Sequence, residues 1–309
     1  MMSHLLPPSL LPQLERLSII SNRRVRGMTQ GKRRSGRLGA SLEFADYREY
    51  APGDDIRRFD WGVYSRTGRP FIRQYWDEQE LSLSLYVDVS ASMNFGEDGQ
   101  NKLLYAKQLA ASVGYMALAS HDRVQAYLCT DVVKRYLPSI RGKASASRLF
   151  SFFEGCMDKD AASVQEPGKE PGNLAAALRQ PEAIPRSPGM TWIFSDFWQE
   201  DGFRNVADAI ALIQASGQDI VLVHIMSAEE MEPVLSGDLR LIDSELGTGK
   251  EVALTGKILE SYKQALRQYT VEILSFCSAR GIRYVQAPTH LPLDQGIFDT
   301  LRSAGAIGI

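Results

Sequence analysis

Residues Leu81 to Ser92 read Leu-Ser-Leu-Ser-Leu-Tyr-Val-Asp-Val-Ser-Ala-Ser. Leu81, Leu83, Leu85 and Val87 alternate with small or polar residues for a strand's length, and the run then breaks into Asp88-Val89-Ser90-Ala91-Ser92. A buried strand therefore delivers one carboxylate and two hydroxyls to its carboxyl end. In open α/β sheets that is the end where loops diverge and ligands bind. Hard oxygen donors at alternate positions of one turn suit a small divalent cation such as magnesium, whereas zinc or copper would ask for His or Cys. The simpler alternative is a strand-end turn in which Asp88 caps the following helix and Ser90 and Ser92 bond to nearby backbone.

A second acid bears on that choice. Thr191-Trp192-Ile193-Phe194-Ser195-Asp196 is another apolar run ending in Ser-Asp, and a neighbouring strand would bring Asp196 to the same edge. Adjacent strands lie about 4.8 Å apart, and two carboxylates roughly 5 Å apart at an effective dielectric near 20 repel by about 3 kcal/mol. A cation, a shared proton or an arginine has to relieve that repulsion. No arginine stands beside either acid in sequence, so a bound cation is the expectation.

The order of elements around these two strands is that of a doubly wound, mostly parallel α/β sheet. Helices are expected over 103–117, 147–157, 173–178, 206–215, 257–279 and 293–301, and strands over 123–130, 191–196, 220–226 and 282–286. Val132 to Leu137 follows a bare turn and reads as a hairpin partner at the sheet edge. Residues 229–256 break the alternation: Leu239 to Asp243 and Glu251 to Leu254 read as an inserted hairpin. Its Gly247-Thr248-Gly249-Lys250 lacks the earlier glycine and the Ser or Thr of a phosphate loop. Residues 158–172, with Pro167, Gly168, Pro171 and Gly172, read as a long loop, of a length that is functional or disordered in most domains. The boundaries drawn on this basis are 1–37 for an amphipathic helix (Leu10 to Ile20) and basic loop, 38–80 for a separate β-rich segment packed on the main domain, and 81–309 for that domain.

Residues 38–80 combine aromatics and charge: Phe44, Tyr47, Tyr50, Phe59, Trp61, Tyr64, Phe71, Tyr75 and Trp76 among Asp54, Asp55, Asp60, Arg48, Arg57, Arg58 and Arg66. Opposite charges at that density satisfy one another, so the expectation is a structural network under aromatic cover, with Phe71 to Trp76 as a strand. Pro52-Gly53 suits a turn.

Composition excludes several classes. The 309 residues carry 35 Lys and Arg against 37 Asp and Glu, a net charge of -2, so no overall field draws the chain to nucleic acid or anionic lipid. The basic run from Arg23 to Arg37 has no interleaved aromatic residue and lacks a stacking platform; it reads as a solvated loop. Cys129, Cys156 and Cys277 form no C-x-x-C pair, and His4, His121, His224 and His290 are scattered, which leaves no zinc set. His224 reads as a buried, hydrogen-bonded histidine. The N-terminus, interrupted by Pro7, Pro8 and Pro12, does not read as a secretory signal, and the longest apolar runs are strand-length. A reduced, cytoplasmic protein that does not span a membrane is expected.

D-x-S-x-S at Asp88, Ser90 and Ser92, with Asp196 ending the fourth strand, resembles the metal-ion-dependent adhesion site of von Willebrand factor A domains. Upstream, Arg48-x-Tyr50-x-x-Gly53-Asp54-Asp55-x-Arg57-x-x-Asp60-Trp61, then Ser65-Arg66-Thr67-Gly68 and Glu80, is similar to the bacterial domain-of-unknown-function family 58. The resemblance implies an A-domain-like half and a MoxR-type AAA+ ATPase or its client as partner, in chaperone-like assembly or maturation. It also implies magnesium held by Asp88, Ser90, Ser92 and Asp196. Where the adhesion site takes a threonine from a G-T-x-L turn this chain has Gly172, so that either the side-chain carbonyl of Asn173 or a water would take its place. The expected function is a non-enzymatic, metal-dependent protein–protein interaction module. The chain has no G-x-S-x-G elbow, no H-E-x-x-H and no dinucleotide fingerprint, and the enzymatic alternative is a magnesium-dependent phosphoryl hydrolase using Asp88.

Overall fold

The computed structural model describes residues 5–21, 34–38, 44–78, 81–96, 100–155, 173–199, 202–233, 237–242, 249–254 and 256–308. Six strands build a mixed α/β sheet: β1 (Ser82–Asp88), β2 (Arg123–Cys129), β3 (Val133–Arg141), β4 (Gly189–Ser195), β5 (Gln218–Met226) and β6 (Arg283–Pro288), in the order β6-β5-β4-β1-β2-β3. Every pairing is parallel except that of β3, which returns antiparallel along β2 as the edge strand. The chain runs from β1 to β2 on one side and later places β4 on the other side of β1. The strand order therefore reverses between β1 and β4, and a crevice opens at their carboxyl ends.

The strands read as near-continuous apolar runs because both faces are covered. On one face Leu83, Leu85 and Val87 meet Leu109, Val113 and Met116 of α1 (Lys102–Ala119) and Leu149 and Phe153 of α2 (Ala146–Glu154). On the other, Tyr86 joins Leu174 of α3 (Leu174–Leu178), Ile210 of α4 (Arg204–Ala215) and Ile273 of a later helix. That later helix, α6 (Gly256–Arg280), follows the short α5 (Ala228–Met231). Each fully buried aliphatic side chain contributes about 1.5–3 kcal/mol. Residues 106 and 109–118 of α1 are buried all round the helix, which marks it as the central helix of its layer.

Two expectations change. Leu10 to Ile20 is not one helix: a single turn, Leu11–Leu14, carries Pro12 at its start, and Ser18–Ile19 then pairs antiparallel with Ile307–Gly308. Leu5, Leu6, Leu10, Leu14, Leu17 and Ile19 are all buried in the α1 layer, so burial on more than one side, rather than helical periodicity, decides the conformation. The closing helix is one α turn, Leu293–Gln295, that widens into a π-helix over Gly296–Leu301; a Cβ at Gly296 would come within 2.2 Å of the Tyr105 hydroxyl. The hairpin is present, with Gly237–Ile242 antiparallel to Gly249–Leu254. Residues 158–172, Cys156 and the basic residues 23–33 lie outside the described residues.

The chain divides into two compact units, Met1–Ser21 with Leu81–Ile309, and Asn22–Glu80. In the second unit Phe71–Glu78 pairs antiparallel with both Arg34–Leu38 and Phe44–Glu49. Asp60 organises it. Its Oδ1 caps the helix Trp61–Thr67 by accepting from the Gly62 and Val63 amides at 2.9 and 3.0 Å, while Oδ2 accepts from Arg73 Nε at 2.7 Å and the Tyr47 hydroxyl at 2.8 Å. The Arg73 bond, the Val63 amide and Tyr47 hold this carboxyl far below the usual range. The charge network thus runs through Arg73, with Arg48 on Asp54 at 2.5 Å and Asp55 accepting from the Arg57 amide.

Candidate functional site

The register of β1 on β4 pairs Val87 with Phe194, so Ser195 stands across from Asp88 and Asp196 lies one residue further on. The Ser195 hydroxyl donates to Asp88 Oδ2 at 2.6 Å and accepts from the Phe197 amide at 2.8 Å. Asp88 Oδ1 accepts from the Ser90 amide at 2.9 Å, and the Ser90 and Ser92 hydroxyls are 3.1 Å apart. The local turn thus uses one Asp88 bond, as a strand-end cap would, and brings two hydroxyls together beside the carboxylate. Asp88 is 2% exposed. Burial, and then the charge of Asp196, push its carboxyl up to about 6 against the opposing hydrogen bonds of Ser195 and Ser90.

Asp196 has the basic neighbour that sequence proximity does not reveal. Lys102, in the first turn of α1, lays its ammonium 2.8 Å from Asp196 Oδ2 and 2.6 Å from Glu230 Oε1. The helix start is fixed by Asn101, whose side chain accepts from the Leu104 amide at 3.0 Å. Glu230 is fixed by a capping box after β5: its Oε2 accepts from the Ser227 amide and its own amide donates to Ser227 Oγ. Lys102 is 1% exposed. Burial draws its ammonium down, but the attraction of Asp196 and Glu230 outweighs this and leaves it above the ordinary lysine value. The repulsion between the paired acids is therefore relieved on the Asp196 side by a lysine distant in sequence, where a bound cation was expected. Asp88 is held by amide and hydroxyl donors.

The turn after β4 is tightly held. Phe197, fully buried, has φ +54, in the left-handed region that bulky residues rarely occupy. The Tyr269 hydroxyl on α6 donates to its carbonyl, and the Asp196 Oδ1 accepts from the Trp198 amide at 3.1 Å. His224 on β5 is buried, with Nδ1 2.7 Å from the Tyr284 hydroxyl, and burial pulls its imidazole down to about 4, so it is neutral at pH 7. Asn173 caps α3, its side-chain oxygen accepting from the Ala176 amide at 3.1 Å; that oxygen is engaged in its own helix. Gly172, before it, lies outside the described residues.

The donors at β1 are hard oxygens, the class magnesium prefers. Among the described residues no three His, Cys, Asp or Glu side chains form a ligand group, so a cation here would rely on the serine hydroxyls and water. Asp88, Asp196 and Glu230 against Lys102 give three carboxylates to one ammonium, an excess of two negative charges when all are ionised. That is the charge of one divalent cation. The donor chemistry at β1 is of the class magnesium takes.

A family model described as "Protein of unknown function DUF58" matches residues 46–272. Among curated proteins, the uncharacterized protein Mb1516 of Mycobacterium bovis is 28% identical over 284 residues, covering 91% of this chain and 84% of that protein. The uncharacterized protein Rv1480 of Mycobacterium tuberculosis matches with the same identity and coverage. Among solved structures, conserved hypothetical protein BatB of Bacteroides thetaiotaomicron superposes with a TM-score of 0.41 at 13% identity, over 73% of this chain and 94% of that one. An aerotolerance-related membrane protein of Bacteroides fragilis gives a TM-score of 0.38 at 14% identity, over 60% and 87%. No helix of the described residues is long and apolar enough to cross a membrane.

Proposed function

Because the chain belongs to the DUF58 family, whose description names no activity, its function has to be read from its own crevice, and we propose a non-enzymatic protein–protein interaction module of the von Willebrand factor A type. Asp88, Ser90 and Ser92 would hold magnesium at the β1 end, with Asp196 as the neighbouring acid and Asn173 left to its helix cap. When bound, the ion supplies an electrophilic position for a carboxylate of a protein partner. The partner that the family resemblance implies is a MoxR-type AAA+ ATPase or its client. The observation that carries this reading is a buried carboxyl raised to about 6 beside two converging hydroxyls, with amide and hydroxyl donors around it but no ammonium bonded to it among the described residues.

The test combines titration calorimetry with magnesium and pull-down of the co-expressed ATPase, with and without chelator, for wild type and Asp88→Ala. Association that survives both chelation and Asp88→Ala would remove the metal-dependent mechanism.

One observation bears on the hydrolase reading: Lys102 lies beside Asp196, where a phosphate-holding lysine would be wanted. Its buried ammonium is already shared by two carboxylates, and freeing it for a phosphate would leave both uncompensated. A magnesium-dependent phosphatase screen separates the readings. Turnover abolished by Asp88→Asn would favour the enzyme.

A further inference from the structure

The second unit has a surface that its own fold does not use. Between Asp46 and Arg73 there are six arginines and six aromatic residues but no lysine. Protein interfaces are enriched in Arg, Trp and Tyr and depleted of Lys. The aromatics are clustered: Phe59 lies 4.5 Å from Trp61, 5.6 Å from Tyr64 and 6.0 Å from Tyr50, ring centre to ring centre, and Trp61 meets Tyr64 edge-on at 6.4 Å. Yet Trp61 is 63% exposed, and Ile56, on the turn that precedes it, 61%. Exposed apolar side chains grouped in this way mark an interaction site.

The charges around the cluster divide into used and unused. Arg48 and Arg73 are bonded to Asp54 and Asp60. Arg57, Arg66 and Arg69 are exposed and have no carboxylate partner among the described residues; Arg66 gives only its Nε to the Gly62 carbonyl, at 3.2 Å. Arg57 precedes Phe59, Trp61 and Tyr64 in the chain, and Arg66 and Arg69 follow them.

We propose that Trp61, Tyr64 and Ile56, flanked by Arg57, Arg66 and Arg69, form a docking surface for an acidic segment of a partner protein. The arginine forks take the partner's carboxylates two bonds at a time, and the aromatic cluster takes the apolar side chains between them. A protein is favoured over nucleic acid because Asp46, Glu49 and Asp55 are exposed in the same unit and would repel a continuous phosphate backbone, whereas a folded partner can place its carboxylates away from them.

The test uses the full chain with chelator present, so that metal-dependent binding does not contribute. The probes are a labelled short peptide of alternating Glu and Leu, its Gln-for-Glu twin and a labelled single-stranded deoxyoligonucleotide, followed by anisotropy. The acidic peptide should bind, the Gln twin should bind on the order of tenfold more weakly, and Trp61→Ala or Arg57→Ala/Arg66→Ala should each weaken the acidic peptide at least as much. These side chains are exposed, so thermal midpoints should not move, and a variant that loses binding without losing stability supports the assignment. Equal binding of the two peptides, tighter binding of the oligonucleotide, or full binding by the Trp61→Ala variant would each overturn it.

Discussion

Asp88 carries a cost in the absence of a cation, and the sign of that cost can be worked out. Its carboxyl sits at about 6 in the native protein, against about 3.9 in an unfolded chain. Between those values the native state keeps a proton that the unfolded state releases. This contribution is therefore full below about pH 4 and lost as pH rises through 6, on the order of 3 kcal/mol. His224 acts in the opposite sense. Held neutral down to about 4 against about 6.5 unfolded, it contributes stability above pH 6.5 that is lost as pH falls towards 4. The two slopes oppose, and Asp88→Asn should uncover the histidine: the variant should be more stable than wild type at pH 7 in chelator, and its stability should climb steeply with pH from 4 to 6.5. Urea unfolding across that range checks both, and a variant less stable than wild type at neutral pH contradicts the assignment of strain to Asp88. Lys102→Met leaves Asp196 and Glu230 buried or half-buried without their cation and should cost about 3–5 kcal/mol, part of which Lys102→Met/Asp196→Asn should restore in the same assay. Asp88, Ser90 and Ser92 were legible because one turn of chain carries them. Lys102 was not, because 94 residues separate it from Asp196 and only the packing of α1 against the sheet edge brings them together.

At the level of elements, legibility followed the range of the forces involved. The strands β1, β4 and β5 and the helices α1, α4 and α6 carry periodicity or apolar runs long enough to outweigh local ambiguity, and they fold within a few residues of where the sequence places them. The first twenty residues do not, because their apolar spacing is helical while their neighbours are distant. Ser18–Ile19 pairs with Ile307–Gly308 near the far end of the chain, and Ser21 Oγ donates at 3.0 Å to Asp219, which also binds Arg283 at 2.8 Å. A strand of two residues leaves no periodic trace. Its energetic weight is nonetheless large, since Leu14 is fully buried against the α1 layer. Leu14→Ala should destabilise the main unit by about 2–5 kcal/mol, whereas a helix lying on the surface would lose a few tenths. Denaturant midpoints with an unchanged slope distinguish the two.

For the whole molecule, the composition of the cores makes the second unit separable. Among the described residues, neither hydrophobic cluster around the six-stranded sheet contains a residue from 22 to 80. The main core is built from buried side chains between Leu5 and Ile19 and from Leu83 onward. Replacing residues 22–80 with a Gly/Ser linker of about 12 residues, which reaches up to about 40 Å, should therefore leave a cooperatively folding domain. The linker adds only a loop-closure cost that grows slowly with length. The shortened protein should keep its magnesium response at Asp88 and lose the acidic peptide entirely. Circular dichroism melting, calorimetry with magnesium and anisotropy on that one variant read the three properties independently. Retention of peptide binding would place the acidic docking surface on the main unit, and loss of the cooperative melt would mean that the sheet draws support from residues outside its own core.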